Sequence, residues 1–362
     1  MKIGFDARLI SHPGMGRYIK NLLDFMFQQE KQENFVLFGK PEELLRFPTT
    51  KVINYQQQIY RWKEIFFAPF AKYEIDLLHV PHFNAPLKKK NPLVITIHDL
   101  IYLKITNSAP AYKRFAAKRI ISNAVKNADK IIAVSQNTKN DLINLYPKTK
   151  EKISVIYEAA DPIFKKITNQ QTLEATKILF GLPEKYILFV GSLKKHKNIE
   201  GLIYACNQLK AKGLKHLLVI TGRFHRQESQ ILEKIKACGA LYLGEVTDDE
   251  LVKIYNLADL LVLPSFYEGF GLPVLEAMAC QTPVIASNIS SLPEIIENSK
   301  FLFDPKNNDE IAQKIYLILT DASVRNECIQ NGQRITAKFN WENTAKKTLN
   351  IYQELINNEK VS

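Results

Sequence analysis

Short apolar runs alternate with amphipathic stretches along the whole chain. Each run has the length of a buried strand, and the stretches between them carry apolar residues at helical spacing. Strands that alternate with crossover helices predict parallel sheets in an α/β protein. The predicted strands fall into two sets, near 2–6, 35–38, 76–80, 93–98, 130–135 and 153–156, and near 186–190, 217–221, 240–244, 260–263, 283–286 and 301–303. Two sheets indicate two domains.

The join between the two sets lies in 157–167, where Asp161-Pro162 interrupts regular structure. We therefore predict a first domain over 1–165, a second over 166–340 and a terminal helical segment over 341–362. With 362 residues, 46% of them hydrophobic, the chain can bury two ordinary cores. The terminal segment carries apolar residues at helical spacing, namely Ala345, Leu349, Tyr352 and Leu355.

The most informative stretch is 264–279, which reads PSFYEGFGLPVLEAMA and places Glu268 and Glu276 eight positions apart. Glu268 follows an apolar run, so it lies after the carboxyl end of a predicted strand, where open α/β sheets bind ligands. Pro273 suits the first turn of the next helix, whose start offers backbone N–H groups and a partial positive charge to a phosphate.

Each part of this stretch also has an ordinary structural interpretation. A glutamate on a helix is usually a solvated charge. Glu276, however, stands among apolar neighbours, so we expect its carboxylate to meet a polar partner. Gly269 and Gly271, on either side of Phe270, are either turn glycines or allow the backbone to approach a ligand closely.

A glycine pair after the first predicted strand, Gly14 and Gly16, begins like a dinucleotide-binding fingerprint. Ile19 occupies the third glycine position, and no acidic residue ends the second strand, so a nicotinamide cofactor is not predicted. The pair forms either a tight turn or a loop that presents backbone to a diphosphate or an acceptor.

Two further constellations follow predicted strands. His98 and Asp99 come directly after the run LVITI; His98 either caps the strand or contacts a ligand, and a general-base role for either residue stays open. Lys197 lies in the loop GSLKKHKN, which is either a solvated lysine run or a phosphate-binding loop.

The segment 262–294 resembles the signature of retaining glycosyltransferase family 4, whose two glutamates match Glu268 and Glu276. The resemblance extends over essentially the whole chain and is strongest to bacterial mannosyltransferase-like members that build surface polysaccharides. It implies the GT-B fold, in which two Rossmann-like domains with parallel sheets face each other across a cleft and a C-terminal helix crosses back to the N-terminal domain. The expected class is therefore α/β with the active site in that cleft.

By resemblance, a nucleotide diphosphate sugar donates a hexose to an acceptor hydroxyl, and the leaving phosphate takes the acceptor's proton. The resemblance assigns catalytic roles to Glu268, His98 and Lys197. Glu268 holds the sugar, and Glu276 holds the ribose. The expected donor-binding residues are Gly14, Gly16, Ser192, Lys197, Gly222, Val246, Glu268, Gly269, Phe270, Gly271, Leu272 and Glu276; Arg17 and Asp99 are expected on the acceptor side. Many relatives carry arginine where this chain has Ser192 or His196.

The expected donor is GDP-mannose, and the expected acceptor is a saccharide or lipid-linked saccharide in lipopolysaccharide, O-antigen or other surface polysaccharide synthesis. A UDP-sugar donor or a non-catalytic nucleotide-sugar-binding relative remains an alternative. A retaining glycosidase is less favoured, because its two carboxylates flank one bond. The sequence lacks an Asp-x-Asp motif, and we expect neither a metal nor a cofactor.

Charge is concentrated in the first half. Residues 1–165 carry 26 Lys and Arg against 15 Asp and Glu, or +11 of the total of +12. Its densest clusters are Lys88-Lys89-Lys90 and the helix with Lys113, Arg114, Lys118 and Arg119. They are either solvated surface or contact an anionic membrane or a lipid diphosphate; no nucleic-acid motif accompanies them. Four scattered cysteines and the absence of a long apolar segment predict a cytoplasmic protein, peripheral on the inner membrane's cytoplasmic face.

Overall fold

The computed structural model describes residues 1–12, 14–56, 69–105, 110–224 and 229–361. The chain divides into two compact units. The first unit contains residues 1–158 and 340–362, and the second contains residues 159–339. The predicted boundary at 165 therefore falls inside the second unit, and the predicted terminal segment belongs to the first.

The first unit is built on a parallel sheet of seven strands in the order β3-β2-β1-β4-β5-β6-β7. Its elements up to residue 158 are β1 (Ile3–Asp6), α1 (Met15–Gln29), β2 (Phe35–Gly39), β3 (Lys51–Asn54), β4 (Leu77–Val80), β5 (Leu93–Ile97), α2 (Ile101–Lys104), α3 (Ala111–Asn127), β6 (Lys130–Ala133), α4 (Gln136–Leu145) and β7 (Ile153–Val155).

The central strands of this sheet are buried along their whole length, which is why they read as continuous apolar runs. Ile3 on β1 pairs with Phe35 on β2 and with Leu77 on β4. Chain order therefore reverses direction between β1 and β4. Ligands of doubly wound sheets bind outside the carboxyl ends of the strands at such a switch point.

The second unit is built on a parallel sheet of six strands in the order β10-β9-β8-β11-β12-β13, the order of a dinucleotide-binding Rossmann sheet. Its switch point lies between β8 and β11. Its elements are α5 (Gln170–Phe180), β8 (Tyr186–Val190), α6 (Ile199–Ala211), β9 (Leu217–Thr221), α7 (Ser229–Ala237), β10 (Leu241–Tyr242), α8 (Asp248–Leu257), β11 (Leu260–Leu263), α9 (Leu272–Ala279), β12 (Val284–Ser287), α10 (Leu292–Ile296), β13 (Leu302–Phe303), α11 (Asn308–Thr320) and α12 (Ala322–Lys338).

The last helix, α13 (Trp341–Val361), packs against α1 in the first unit. It buries Ala345, Leu349 and Tyr352, which recur at helical spacing and form its apolar face. The Tyr352 hydroxyl lies 2.5 Å from Nδ1 of His79 on β4. Burial lowers the pKa of His79 to about 3, so this buried contact joins two neutral groups.

The predicted α/β class with two parallel sheets is confirmed. All twelve predicted strands are present. Strand β3 was not predicted, because its Lys51 and Asn54 are exposed and the strand lacks an apolar run. Among the helices of the described ranges, none has the length and apolar character needed to cross a membrane.

Candidate active site

The switch point of the second sheet brings Lys197 and Glu268 together. Lys197 follows β8 and Glu268 follows β11, the two strands on either side of the reversal. The Lys197 Nζ lies 2.6 Å from Oε1 and 2.8 Å from Oε2 of Glu268. The two side chains are only 15% and 12% exposed. A cation and a carboxylate are therefore held, largely shielded from solvent, where such a sheet binds its ligand.

Three serines, none of them predicted from the sequence, hold the Glu268 loop. Ser265 donates from Oγ to Glu268 Oε1 at 2.6 Å. The Glu268 N–H donates to Ser290 Oγ at 3.0 Å, and Ser291 Oγ donates to the Phe270 carbonyl at 2.6 Å. The carboxylate and its backbone are thus fixed from the loop after β11 on one side and from the loop after β12 on the other. A serine cluster after two neighbouring strands was the available signal.

Gly271 sets the start of α9 next to this carboxylate. Its φ is +121°, and an added Cβ would lie 2.8 Å from Leu292 Cδ2, so only glycine fits here. The helix then begins at Leu272 with Pro273 in its first turn, as the sequence predicts. The start of α9 can therefore present its positive end to an anion.

Glu276 lies one turn further along α9, 1% exposed. The Tyr255 hydroxyl donates to its Oε2 at 2.9 Å. The apolar surroundings of Glu276 predict such a polar partner, and the structure provides one from α8. Contact between Glu276 and a ribose stays a prediction.

The other expected donor-binding residues of the second unit also follow strands. Ser192 follows β8, Gly222 follows β9 and Val246 follows β10. These strands and β11 are neighbours in the sheet, so the loops share one edge. Gly222 has φ +138°, and its N–H donates to the Gly244 carbonyl.

His196, next to Lys197, does not supply the charge of an arginine. Burial, together with the nearby positive charge of Lys197, lowers its pKa to about 4 despite the opposing effect of Glu268. The imidazole is therefore neutral at pH 7 in the unliganded protein.

The site residues that the sequence predicts in the first unit lie in the segments that follow β1 and β5. Gly14 precedes α1 with φ +80°, and Gly16 and Arg17 lie in its first turn. An added Cβ at Gly16 would lie 2.3 Å from the Ile10 carbonyl oxygen, so glycine is needed for close backbone packing. The Asp99 Oδ1 accepts a hydrogen bond from the Ile101 N–H at the start of α2.

His98 is held through both ring nitrogens. Its Nδ1 lies 2.8 Å from Glu158 Oε1, and its Nε2 lies 3.0 Å from the Pro81 carbonyl oxygen. The ring of Tyr18 packs against it edge-on, with the centroids 4.7 Å apart. Burial alone would lower the pKa of His98, but the hydrogen bond and charge of Glu158 raise it above its ordinary value. Glu158, which follows β7, was not predicted from the sequence.

A buried ion pair lies at the switch point of the first sheet. Asp6 ends β1, and its carboxylate accepts hydrogen bonds from Arg8 Nε at 2.9 Å and Nη2 at 2.6 Å. His82, in the loop after β4, places Nε2 3.3 Å from Asp6 Oδ2. Burial would raise the pKa of Asp6, but the charge and hydrogen bonds of Arg8, with a smaller effect of the nearby His82, hold it well below the ordinary carboxyl value.

Across the described ranges, no group of three or more His, Cys, Asp or Glu side chains is arranged to hold a metal ion.

Two family models match the chain, one in each half. Residues 14–163 match the model described as Glycosyltransferase Family 4, and residues 170–335 match Glycosyl transferases group 1. The chain belongs to these glycosyltransferases. The second match spans the Lys197 and Glu268 loops, and the first spans His98 and Glu158.

Two similar curated proteins come from Escherichia coli. The chain is 29% identical over 289 residues to the O-antigen chain mannosyltransferase B, covering 78% of this chain and 75% of that protein. It is 30% identical over 288 residues to the serotype-specific mannosyltransferase WbdA, covering 76% of this chain but only 35% of that protein. The chain thus spans about a third of this second relative's length.

Solved structures of similar fold cover almost the whole chain. HepE from Anabaena, in complex with UDP and glucose, aligns over 98% of this chain and all of that chain with a TM-score of 0.79 and 20% identity. Sucrose-phosphate synthase from Thermosynechococcus elongatus aligns over 98% and 99% with a TM-score of 0.78 and 22% identity. The lipopolysaccharide glycosyltransferase WaaG gives 0.70 at 14% identity over 96% and 99%. These likenesses confirm the GT-B type of fold.

Proposed function

We propose that this glycosyltransferase moves a hexose from a nucleotide diphosphate sugar to the hydroxyl of a saccharide or lipid-linked saccharide, with retention at the anomeric carbon. The observation that carries the proposal is the shielded Lys197–Glu268 pair at the switch point of the second sheet. Lys197 provides a cation that can bind the diphosphate. Beside it, the Glu268 carboxylate can accept hydrogen bonds from the hydroxyl groups of the sugar.

In this mechanism the residues of the second unit act on charge that develops as the glycosidic bond breaks. Lys197 and the start of α9 stabilise the departing diphosphate, since fixed dipoles and charges need no rearrangement during the reaction. Glu268 accepts hydrogen bonds from the sugar and orients it. Glu276 holds the ribose. The leaving phosphate accepts the proton of the acceptor hydroxyl, so no protein nucleophile and no metal take part.

The proposed donor is GDP-mannose, in keeping with the two mannosyltransferase relatives, one of which is named for the O-antigen chain. A UDP-sugar is the alternative, since HepE of similar fold was solved with UDP-glucose. Thermal-shift measurements with GDP-mannose, GDP, UDP-glucose and UDP, each with and without EDTA, separate these cases. A stabilisation by GDP compounds that survives EDTA supports the proposal; stabilisation by UDP compounds alone overturns the donor assignment.

The decisive variant is Glu268→Gln, which keeps the shape of the side chain and removes its charge. We expect kcat to fall by about 100-fold or more, the size of effect seen when a single preorganised electrostatic group is lost. The rate of sugar transfer is measured from the nucleoside diphosphate that is released. The configuration of the product is measured by NMR of its anomeric proton.

Glu327→Gln is the matched control, because Glu327 forms a surface ion pair with Lys300 at 2.5 Å in the same unit. It should leave kcat unchanged. Equal activity of the Glu268 variant and the control would end the catalytic assignment, and an inverted product would end the retaining one.

We also propose that helix α3 contacts the anionic surface of a membrane that carries the acceptor. Tyr112 and Phe115 on this helix are 71% and 61% exposed. Lys113, Lys118 and Arg119 beside them are exposed as well. Aromatic side chains that enter the headgroup region and cations that face anionic lipid are the features of an interfacial helix.

A further inference from the structure

Two acceptor atoms surround the ring of His98 and determine where its protons lie. A backbone carbonyl oxygen only accepts hydrogen bonds, so the contact to Pro81 requires a proton on Nε2. An ionised carboxylate also only accepts, so the contact to Glu158 requires a proton on Nδ1. When Glu158 is ionised, the two contacts together place a proton on each ring nitrogen and give the ring a positive charge.

We propose that Glu158 is a positioning residue that holds His98 as a doubly protonated imidazolium, so that His98 serves the transfer as a fixed positive charge and not as its general base. The inference rests on the proposed function for its role in transfer. It excludes the base role because a ring with two N–H groups has no lone pair with which to take a proton.

The surroundings of His98 support this state. Glu158 is buried, and its carboxylate provides the countercharge at 2.8 Å. Asp99 adds a second negative charge nearby, and both raise the pKa of His98 against the effect of burial. The neighbouring His79 on β4 is neutral, since burial lowers its pKa to about 3, and burial raises the pKa of Tyr18 on α1 beyond any working pH.

The sign of the pH dependence follows from the charge. A general base acts only when deprotonated, so its activity rises with pH through its pKa. A group that acts through its positive charge is active below its pKa and loses activity as pH rises through that raised value. We therefore expect kcat to fall on the alkaline side and not to rise there.

The first experiment is an NMR titration of the His98 ring nitrogens in the unliganded, full-length protein. We expect both nitrogens to be protonated at pH 7 in the wild type. In Glu158→Gln, where burial remains and the charge is gone, the pKa should drop by more than about one unit, below the ordinary histidine value of about 6.5. The exposed Glu151→Gln is the control and should leave it unchanged.

The second experiment measures kcat against pH for the same proteins. Glu158→Gln should move the alkaline limb to lower pH by the shift that NMR reports, whereas a purely structural role would lower kcat without moving the limb. Glu158→Asp keeps the negative charge on a shorter side chain. The pKa of His98 in this variant should lie between its values in the wild type and in Glu158→Gln. If Glu158→Gln does not fold, the comparison of Glu158→Asp with the wild type still tests the proposal.

A non-protonated ring nitrogen on wild-type His98 at pH 7, or a His98 pKa that does not respond to loss of the Glu158 charge, would overturn the inference. Because the titration needs no substrate, it is independent of the proposed function. Failure of sugar transfer with the titration as expected would count against the function alone.

Discussion

Ser265 illustrates how a residue without chemistry of its own sets the geometry of one that has it. Its hydroxyl donates to the Glu268 oxygen that also meets Lys197, and its side chain is completely buried. Glu268 thus has one oxygen held by two donors. If Lys197 turns toward a diphosphate, the serine keeps the carboxylate in place.

We therefore expect Ser265→Ala to lower kcat about tenfold, since losing one hydrogen bond to a charged group costs about 1.5 kcal/mol. The donor KM should change less, because Lys197 still binds the diphosphate. Steady-state kinetics with saturating acceptor measure both constants.

Ser287→Ala is the control for this variant. Ser287 is equally buried on β12, but its hydroxyl makes only a long bond of 3.4 Å to the Leu263 carbonyl. An equal loss of kcat in both variants would assign the effect to packing.

At the residue scale, the sequence drew attention to side chains that follow a predicted strand. Lys197 and Glu268 lie 71 positions apart in the chain, and each was selected for its place after a predicted strand and for the family resemblance; the structure places the two side chains in contact. Ser290 and Glu158 were not predicted, because each is important through one hydrogen bond that only the folded structure reveals. The bond between His98 and Glu158 spans 60 positions, and no local pattern encodes it.

At the scale of elements, apolar content decided what could be predicted. Strands buried on both faces were found from their runs, whereas the edge strand β3 was not, since its ends are exposed. The order of the strands within each sheet was not predictable either, because the length of an apolar run does not indicate which strands are neighbours. Only the order places β1 beside β4 and thereby brings Asp6 to His82.

The end of β1 provides a stability prediction. Asp6→Asn leaves the Arg8 side chain, 4% exposed, without its carboxylate. Removing one partner of a buried ion pair costs about 3–5 kcal/mol. We expect the unfolding midpoint of the first unit to fall by roughly 10 °C, since about 2–4 °C corresponds to each kcal/mol in a domain of this size. Differential scanning calorimetry measures it.

Asp24→Asn is the matched control, because Asp24 pairs with Arg46 at the surface of the same unit, also at 2.6 Å. Its loss should cost less than about 1 kcal/mol. The double variant Asp6→Asn/Arg8→Met should recover part of the loss. The pKa of Asp6 is lowered on folding, so its stabilisation is present above the ordinary carboxyl pKa and fades as pH falls below about 4. An Asp6 variant as stable as the control would show that the pair is not needed.

At the scale of the whole molecule, the sequence predicted two parallel sheets and a positively charged first half, and both are present. Charge counts could not show which cations face solvent together. On α3 the structure places exposed Tyr112 and Phe115 among exposed Lys113 and Lys118, so that a charge cluster becomes an amphipathic surface. This surface gives the membrane proposal a defined location.

Two variants of the α3 surface separate the contribution of its charges to membrane binding from the contribution of its apolar side chains. Lys113→Gln/Lys118→Gln should weaken binding to vesicles rich in phosphatidylglycerol by roughly 30-fold, since each cation near such a surface contributes about 1 kcal/mol. Lys346→Gln/Lys347→Gln removes the same net charge from exposed positions on α13 and should have little effect. Tyr112→Ser/Phe115→Ser should also weaken binding, but its effect should persist at high salt, because screening acts on charges and not on buried apolar area. Co-sedimentation across a salt series reads out all three; equal loss from the α3 and α13 lysine pairs would mean that net charge alone, and not this helix, draws the protein to the surface.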